Sequence, residues 1–352
     1  MKIHKTIISV FALFCFSAGT PAKDFLRHSP ENTLIITPKL LLERLRSEEG
    51  ESYVGIRDIT VDENSAVYAF DYMNYEIKKY DKEGKLLLTF GGTGEEDGKF
   101  NHLTDIRAVK GRILAVDSIG LSVFDYEGNF MKKEPYAKEA LTDLPAIFDD
   151  GRFVGTEILA DELKTALIYH AVDGKELDRL AFYEINEFFP AIKKGDDFFL
   201  DDTYVRAYDY AVLPEGDILW AASDVLKIYR YSQGESSVFI TETDAAVPFP
   251  DELRKPLLER QARTNPPLFS YVPDKYQMIH HLLCGPQGDI WVYVKTKERT
   301  GFLHYSKTGN FEAEYEVKGD FEVTNAIVRI FNSRMYFVVN ERDGVKVSSA
   351  SL

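Results

Sequence analysis

The stretch from Asp58 to Gly92 reads DITVDENSAVYAFDYMNYEIKKYDKEGKLLLTFGG, and it decides the fold. Its first half alternates apolar and polar residues on both sides of a turn at 62–65, which is the period-2 pattern of two half-buried strands. A third strand at 77–80 leads into the turn Asp81–Gly84, and a fourth strand follows over Lys85–Phe90. The stretch therefore predicts a four-stranded antiparallel sheet, and such a sheet cannot bury both of its faces alone.

The chain then repeats this unit. Val67–Asp71 of the first copy corresponds to Ile113–Asp117 of the second, and the turn Asp81–Gly84 corresponds to Asp125–Gly128. Looser copies follow, each with a turn near its centre. These central turns fall near Ser65, Gly111, Gly151, Gly216, Gly288 and Ser333.

Six units of about 40 residues, each a four-stranded sheet, are the sequence pattern of a β-propeller, in which repetition about an axis buries both faces of every sheet. The wider spacings contain two segments that do not fit the repeat, at about 181–205 and 249–276, and we expect both to be insertions. A seventh, degenerate blade at Asp196–Tyr208 is the alternative. The predicted fold class is an all-β, six-bladed β-propeller.

The N-terminus carries two predicted features. Residues 1–22 combine early lysines, a short apolar run and small residues, as a secretory signal peptide does, so we expect an exported periplasmic or extracellular protein with one propeller domain over 23–352. A lipoprotein attached through Cys15 is the less favoured alternative. Asn32–Thr37 is predicted to be a strand that pairs with the last blade and closes the ring, and Lys39–Arg46 a short helix or irregular link.

Composition limits the classes of partner. The formal net charge is −15, which argues against nucleic acid and anionic membranes because both repel an acidic surface. No segment beyond the signal is long and apolar enough to predict a transmembrane helix. Cys284 has no partner once a signal containing Cys15 is removed, so no disulfide is predicted. We expect a monomer.

A more specific pattern covers residues 55–130. It consists of Asp58–Asp62, Val67–Asn74, Ile77–Asp81, Leu88–Gly92 and the linker Gly98–His102. This pattern resembles the NHL repeat, and the whole chain is similar to exported bacterial six-bladed propellers related to NHL proteins. The resemblance implies the propeller fold. It leaves function open, because NHL-type propellers include protein- and RNA-binding modules as well as lyases and lactonases.

Recurrent acidic residues indicate where a site could lie. Asp58 and Asp105 recur on the inner strand, and Asp71, Asp117 and Asp224 follow second strands. Function in propellers concentrates on the loops at one mouth of the central channel. A ring of carboxylates there would suit Ca²⁺, with Asp58 and Asp105 as the candidate ligands. The alternative is that these residues cap strands and bind turn amides.

The few histidines give a weaker signal. His102 and His280 precede or begin inner strands and are the candidate acid–base residues, whereas surface roles are the alternative. Of His280 and His281, only one can face the channel, because neighbouring strand residues point to opposite sides.

Two functions follow from these patterns. The preferred hypothesis is a binding or scaffold module for a protein, peptide or carbohydrate partner at a channel mouth, with no nucleic acid partner. The alternative is a metal-dependent hydrolase or lyase, of the lactonase or amidating-lyase type, with its site in the channel.

Overall fold

The computed structural model describes the residues 33–45, 55–136, 143–159, 164–184, 191–194, 197–200, 208–242, 277–295, 300–341 and 344–352, with a few single positions between 248 and 259. The predicted signal peptide lies outside these residues, as does nearly all of the predicted insertion at 249–276. Within the described residues, no helix is both long enough and apolar enough to cross a membrane.

The described residues form six blades of four antiparallel strands, one of which gains a fifth, parallel strand, and this confirms the predicted six-bladed propeller. Blade 1 consists of β3 (Ile56–Val61), β4 (Val67–Asp71), β5 (Glu76–Tyr80) and β6 (Leu86–Gly91). Blade 2 consists of β7 (Leu103–Val109), β8 (Arg112–Asp117), β9 (Gly120–Asp125) and β10 (Phe130–Pro135). Blade 3 consists of β11 (Asp143–Ile147), β12 (Phe153–Leu159), β13 (Lys164–His170) and β14 (Glu176–Glu184).

Blades 4 to 6 continue the same order. Blade 4 consists of β17 (Tyr208–Val212), β18 (Ile218–Ala222), β19 (Lys227–Ser232) and β20 (Glu235–Thr241). Blade 5 consists of β21 (Ile279–Cys284), β22 (Ile290–Lys295), β23 (Thr300–Tyr305) and β24 (Phe311–Val317). Blade 6 consists of β25 (Ile327–Phe331), β26 (Arg334–Glu341) and β27 (Gly344–Ser351), and its fourth strand is β2 (Lys39–Leu45).

The first of the two non-repeat segments, about 181–205, contains ordered strands. Residues 181–184 extend β14, the outer strand of blade 3, and β15 (Ala191–Lys194) pairs with β16 (Asp197–Leu200) as a separate hairpin. This hairpin occupies part of the segment that was the alternative seventh blade.

The ring is closed by a different strand from the one predicted. β2 (Lys39–Leu45) pairs antiparallel with β27 and supplies the fourth strand of blade 6. β1 (Thr33–Ile36), within the predicted closing strand, instead pairs in parallel with β24 as a fifth strand of blade 5. The prediction of a helix or link after Thr37 is wrong because tertiary pairing with an open sheet edge overrides the helix propensity of a Leu- and Glu-rich segment.

The turns explain why the repeat folds as it does. In blade 1 the carboxylate of Asp81 accepts the amides of Glu83 and Lys85 at 3.0 and 2.8 Å, and Gly84 takes a φ of 84°. That left-handed conformation is strained for residues with a side chain, so the Asp-x-x-Gly pattern specifies the hairpin.

Six buried apolar clusters hold the blades together. Each cluster fills the gap between two neighbouring blades, and the cluster between blades 6 and 1 closes the circle. The inner strands of successive blades contact each other around the ring, including β25 with β3. These strands therefore surround a central channel, and all of them begin at the same end, which we call the mouth.

Candidate functional site

Four inner strands place a polar residue at the same register. In each blade, the first and second strands are joined by a turn, and the backbone pairs across it. Each of these residues lies four positions before the first-strand residue that makes this pairing. They are Asp58 in blade 1, Asp105 in blade 2, Asp209 in blade 4 and His281 in blade 5. We call them the polar belt.

The belt includes a pair of carboxyl groups. Asp58 and Asp105 come from neighbouring blades, are 2% and 6% exposed, and are joined by a side-chain hydrogen bond. Burial raises the pKa of Asp105 well above its usual range, and the charge of Asp58 and this bond add to the effect. The raised pKa favours the protonated form of Asp105, and a protonated carboxyl group can donate a hydrogen bond to its neighbour.

A cation, Arg329, lies beside this pair. It lies on the inner strand of blade 6, and its Nε donates to Oδ1 of Asp58 at 2.9 Å. Burial opposes the charge of the guanidinium, but the carboxyl groups of Asp58 and Asp105 more than offset this and raise its pKa. The arginine also interacts electrostatically with Tyr210 of blade 4 and His281 of blade 5, so it influences the belt on several sides of the channel.

Both carboxyl groups of the pair are held by their own strands. Oδ1 of Asp58 accepts the amide of Ile59, and Oδ1 of Asp105 accepts the amide of Ile106, each at 2.8 Å. Each side chain therefore makes the same local contact with its own strand. The identical geometry explains why the Asp-Ile pair recurs in the two best-conforming repeats.

His281 is neutral at physiological pH. Burial lowers its pKa to about 4, an effect that the charge of Arg329 reinforces and the bond to Val323 opposes. Since the carbonyl oxygen of Val323 can only accept, Nε2 of His281 carries the proton and donates to it at 3.1 Å. Nδ1 therefore keeps a lone pair. Burial, then the charges of His281 and Lys295, lower the pKa of His280 to about 4 as well.

Asp209 has no cationic neighbour among the described residues. Its pKa is raised to about 7, and burial alone is the cause. It is partly accessible from the channel, unlike the pair at Asp58 and Asp105. A carboxyl group near half-ionisation at neutral pH is therefore part of the channel wall.

The other predicted site residues bind loops. The carboxylate of Asp71 is bonded to Lys78 and accepts the amide of Met73 at 3.1 Å. Asp117 similarly accepts Nζ of Lys133 at 2.8 Å and the amide of the residue two positions on at 3.0 Å. Both end the second strand of their blade at the mouth, so they shape its loops. Asp224 is buried two positions beyond the end of β18, so it is not equivalent to them.

His102 is also at the mouth but on its exposed rim. Its Nδ1 is 3.0 Å from the hydroxyl of Tyr75, which connects the blade 1 loop to the start of blade 2. The structure thus brings Asp58 and Asp105 together and places His102 and His280 away from that pair. Sequence reasoning missed Asp209 and Arg329. Register gives a signal for Asp209, whereas nothing in the repeat marks Arg329.

The calcium site predicted at Asp58 and Asp105 stays a prediction. Ca²⁺ takes several oxygen ligands, whereas the two carboxyl groups here contact each other and Asp58 also contacts Arg329. Elsewhere in the described part of the chain, no three His, Cys, Asp or Glu side chains come together as a metal would require.

Comparison with known proteins supports the fold. No protein-family model matches the sequence, and no curated protein matches it. Among solved structures, a protein from Bacteroides fragilis described as exported is 12% identical with a TM-score of 0.54, over 93% of this chain and 98% of that chain. At this identity the likeness shows the propeller fold alone.

Two further structures are similar at lower scores. Regucalcin from Agrobacterium tumefaciens, described as calcium-binding, is 12% identical with a TM-score of 0.45, over 91% of this chain and 97% of its own. Virginiamycin B lyase from Staphylococcus aureus is 14% identical with a TM-score of 0.46, over 90% of this chain and 99% of its own.

Proposed function

We propose that this chain is an exported, NHL-like propeller that binds a protein, peptide or carbohydrate partner at the channel mouth. The polar belt carries this proposal. Asp58 and Asp105 are buried beside the guanidinium of Arg329, and burial raises the pKa of Asp209, which is partly exposed, to about 7. Burying such groups costs stability, and apolar residues of similar size commonly serve a core as well or better. A belt retained at that cost is best explained by contact with a ligand.

The test compares ligand binding by the wild-type protein and an isosteric variant. Thermal unfolding of residues 23–352 is measured against a panel of oligosaccharides and peptides, and a specific ligand is expected to raise the midpoint in a concentration-dependent way. Asp209→Asn should reduce the affinity for that ligand at least tenfold. Asp173→Asn, in an exposed turn at the end of the propeller opposite the mouth, should leave the affinity unchanged. A ligand that binds both variants equally would place the site elsewhere.

One observation favours a second candidate, a hydrolase or lyase. The carboxyl pair at Asp58 and Asp105 combines a proton donor and a proton acceptor, which is the minimum that general acid–base catalysis needs. Here Asp105 would give a proton to a leaving group, and Asp58, which contacts Arg329, would be the proton acceptor. Hydrolysis of any lactone or peptidyl substrate that is abolished by Asp105→Asn would replace the binding proposal with this one.

A further inference from the structure

We propose that the mouth of blades 1 and 2 binds a basic peptide segment that carries a large apolar side chain beside its cations. The inference rests on the proposed function, because it takes the channel mouth as the binding surface, and it narrows the partner to one class.

Three exposed apolar side chains surround this part of the mouth. Tyr72 is 41% exposed, Met73 is 47% exposed and Ile119 is 36% exposed. Tyr72 and Met73 lie in the loop between β4 and β5, and Ile119 lies in the turn between β8 and β9. Single exposed apolar residues are ordinary, but three in corresponding loops of adjacent blades form a surface of the composition that protein interfaces prefer.

These loops are held in place before any partner binds. The amide of Tyr72 donates to the carbonyl of Gly55 at 2.9 Å, and its ring lies so close to Gly55 that a Cβ there would collide with it. The buried carboxylates of Asp71 and Asp117 accept the amides of Met73 and Ile119. The two aspartates are therefore positioning residues, and a preformed surface loses less entropy on binding.

A hydrogen-bonded bridge joins the two blades at this surface. The hydroxyl of Tyr75 contacts His102, and the carbonyl of His102 in turn accepts the amide of Ser118 at 3.2 Å. The apolar residues of blade 1 and blade 2 therefore belong to one continuous rim. The connector between blades 1 and 2 is tied to the same loop, because the amide of Gly92 donates to the carbonyl of Tyr75 at 2.8 Å. We call Tyr72, Met73 and Ile119, together with Glu95–Asp97 of this connector, the mouth rim.

The charge of the mouth rim selects the partner. Glu95, Glu96 and Asp97 are exposed, and none of them has an ion pair within the described residues. Lys99 is the nearest cation in the connector, and its Nζ is bonded to the carbonyl of Gly91 at 2.6 Å. In the channel behind the mouth rim, the belt has three carboxyl groups, and the guanidinium of Arg329 lies beside two of them. A Lys- or Arg-bearing segment would supply the missing charge, and the chain's net charge of −15 would steer it there.

The experiment uses a phage-displayed library of random 12-residue peptides, selected on immobilised protein of residues 23–352. We expect the enriched peptides to contain Lys or Arg next to Leu, Phe or Trp. Their affinity should fall about tenfold for the triple variant Glu95→Gln/Glu96→Gln/Asp97→Asn and fall comparably for Met73→Ser/Ile119→Ser. The affinity should also weaken between 0.1 and 0.5 M salt, because the Debye length shortens from about 10 Å towards about 3 Å.

The matched control removes the same charge from the other end of the blades. Glu83→Gln/Glu127→Gln/Asp173→Asn alters exposed acids in the outer turns opposite the mouth and should bind the peptides as the wild type does. Enriched peptides without basic residues, or equal binding to both triple variants, would overturn the proposal. Failure to enrich any peptide would overturn it too, whereas an oligosaccharide ligand sensitive to Asp209→Asn would still support the broader binding function.

Discussion

Replacing Asp209 with asparagine should make the protein more stable, increasingly so as the pH rises. The pKa of this buried carboxyl is raised from its ordinary 3.8 to about 7, and burial is the cause. Well below pH 4 the group is protonated in both the folded and unfolded states, and it then has no effect on stability. Between pH 4 and 7 the unfolded chain ionises first, so the folded protein loses stability as the pH rises.

The structure sets the size of the effect. A pKa raised by about three corresponds to about 4 kcal/mol at 1.36 kcal/mol per pH unit, as an upper bound. The residue is partly exposed, so solvent screening reduces the expected gain to about 2 kcal/mol at pH 8. Asparagine has the shape of the protonated acid and no charge to bury. The gain should therefore be absent at pH 4 and complete by pH 8.

Equilibrium urea denaturation at pH 4.5, 6, 7 and 8 measures this difference directly. The comparison must be made between variant and wild type at each pH, because the lowered pKa values of His280 and His281 make the wild type lose stability in acid. Asp173→Asn, in an exposed turn, controls for general effects of removing a carboxylate. If the free energy of unfolding changed with pH in the same way for Asp209→Asn and wild type, the claim that this carboxyl group is desolvated would be refuted.

Three other perturbations test the ring itself. Arg329→Met should destabilise by about 3 kcal/mol, because it leaves the buried charge of Asp58 unpaired, and a second change of Asp58 to Asn should recover part of the loss in the same denaturation assay. Deleting the chain through residue 45 should lower the thermal midpoint far more than deleting it through residue 37, because only β2 completes a blade; equal losses would contradict the pairing observed. Asn340→Ala removes two hydrogen bonds to the first strand of blade 1, at 2.7 and 2.9 Å, and should cost about 2 kcal/mol by calorimetry; an unchanged midpoint would show that the seam is held by apolar packing alone.

Much of the fold could be predicted because each repeat is a local unit. The turn residues and the period-2 pattern of Asp58–Gly92 specify a hairpin pair without reference to the rest of the chain, so later, weaker copies could be aligned to it. The closing strand could not be assigned in the same way. Lys39–Leu45 is a strand only because β27 offers it an open edge, and that edge is some 300 residues away in the sequence.

The site residues also separate into those that the local repeat pattern predicts and those that only the assembled ring reveals. Asp58 and Asp105 were predicted together because their repeats conform to one consensus, and the structure joins them by a hydrogen bond. Asp209 occupies the same register in a repeat that has lost its flanking pattern, so its equivalence becomes visible only when the strand ends are known. Arg329 is two residues further along its strand than the belt position, and only the ring geometry brings it to Asp58.

A structural role and a proposed ligand-binding role of Arg329 can be separated by experiment. As a seam residue it joins blade 6 to blade 1 beside the hydrogen bonds of Asn340, and in that role its loss should affect stability and nothing else. Under the proposed function, Arg329 beside the belt would contribute to the charge that an incoming ligand meets, so Arg329→Met should also change the affinity for a cationic peptide. Removing a positive charge from the channel should strengthen that binding even while the protein becomes less stable. Asn340→Ala weakens the same seam without changing any charge, and it should leave affinity unchanged. Opposite effects on stability and affinity in Arg329→Met, absent from Asn340→Ala, would therefore assign the belt to ligand recognition, whereas loss of stability alone in both variants would assign it to closure of the ring.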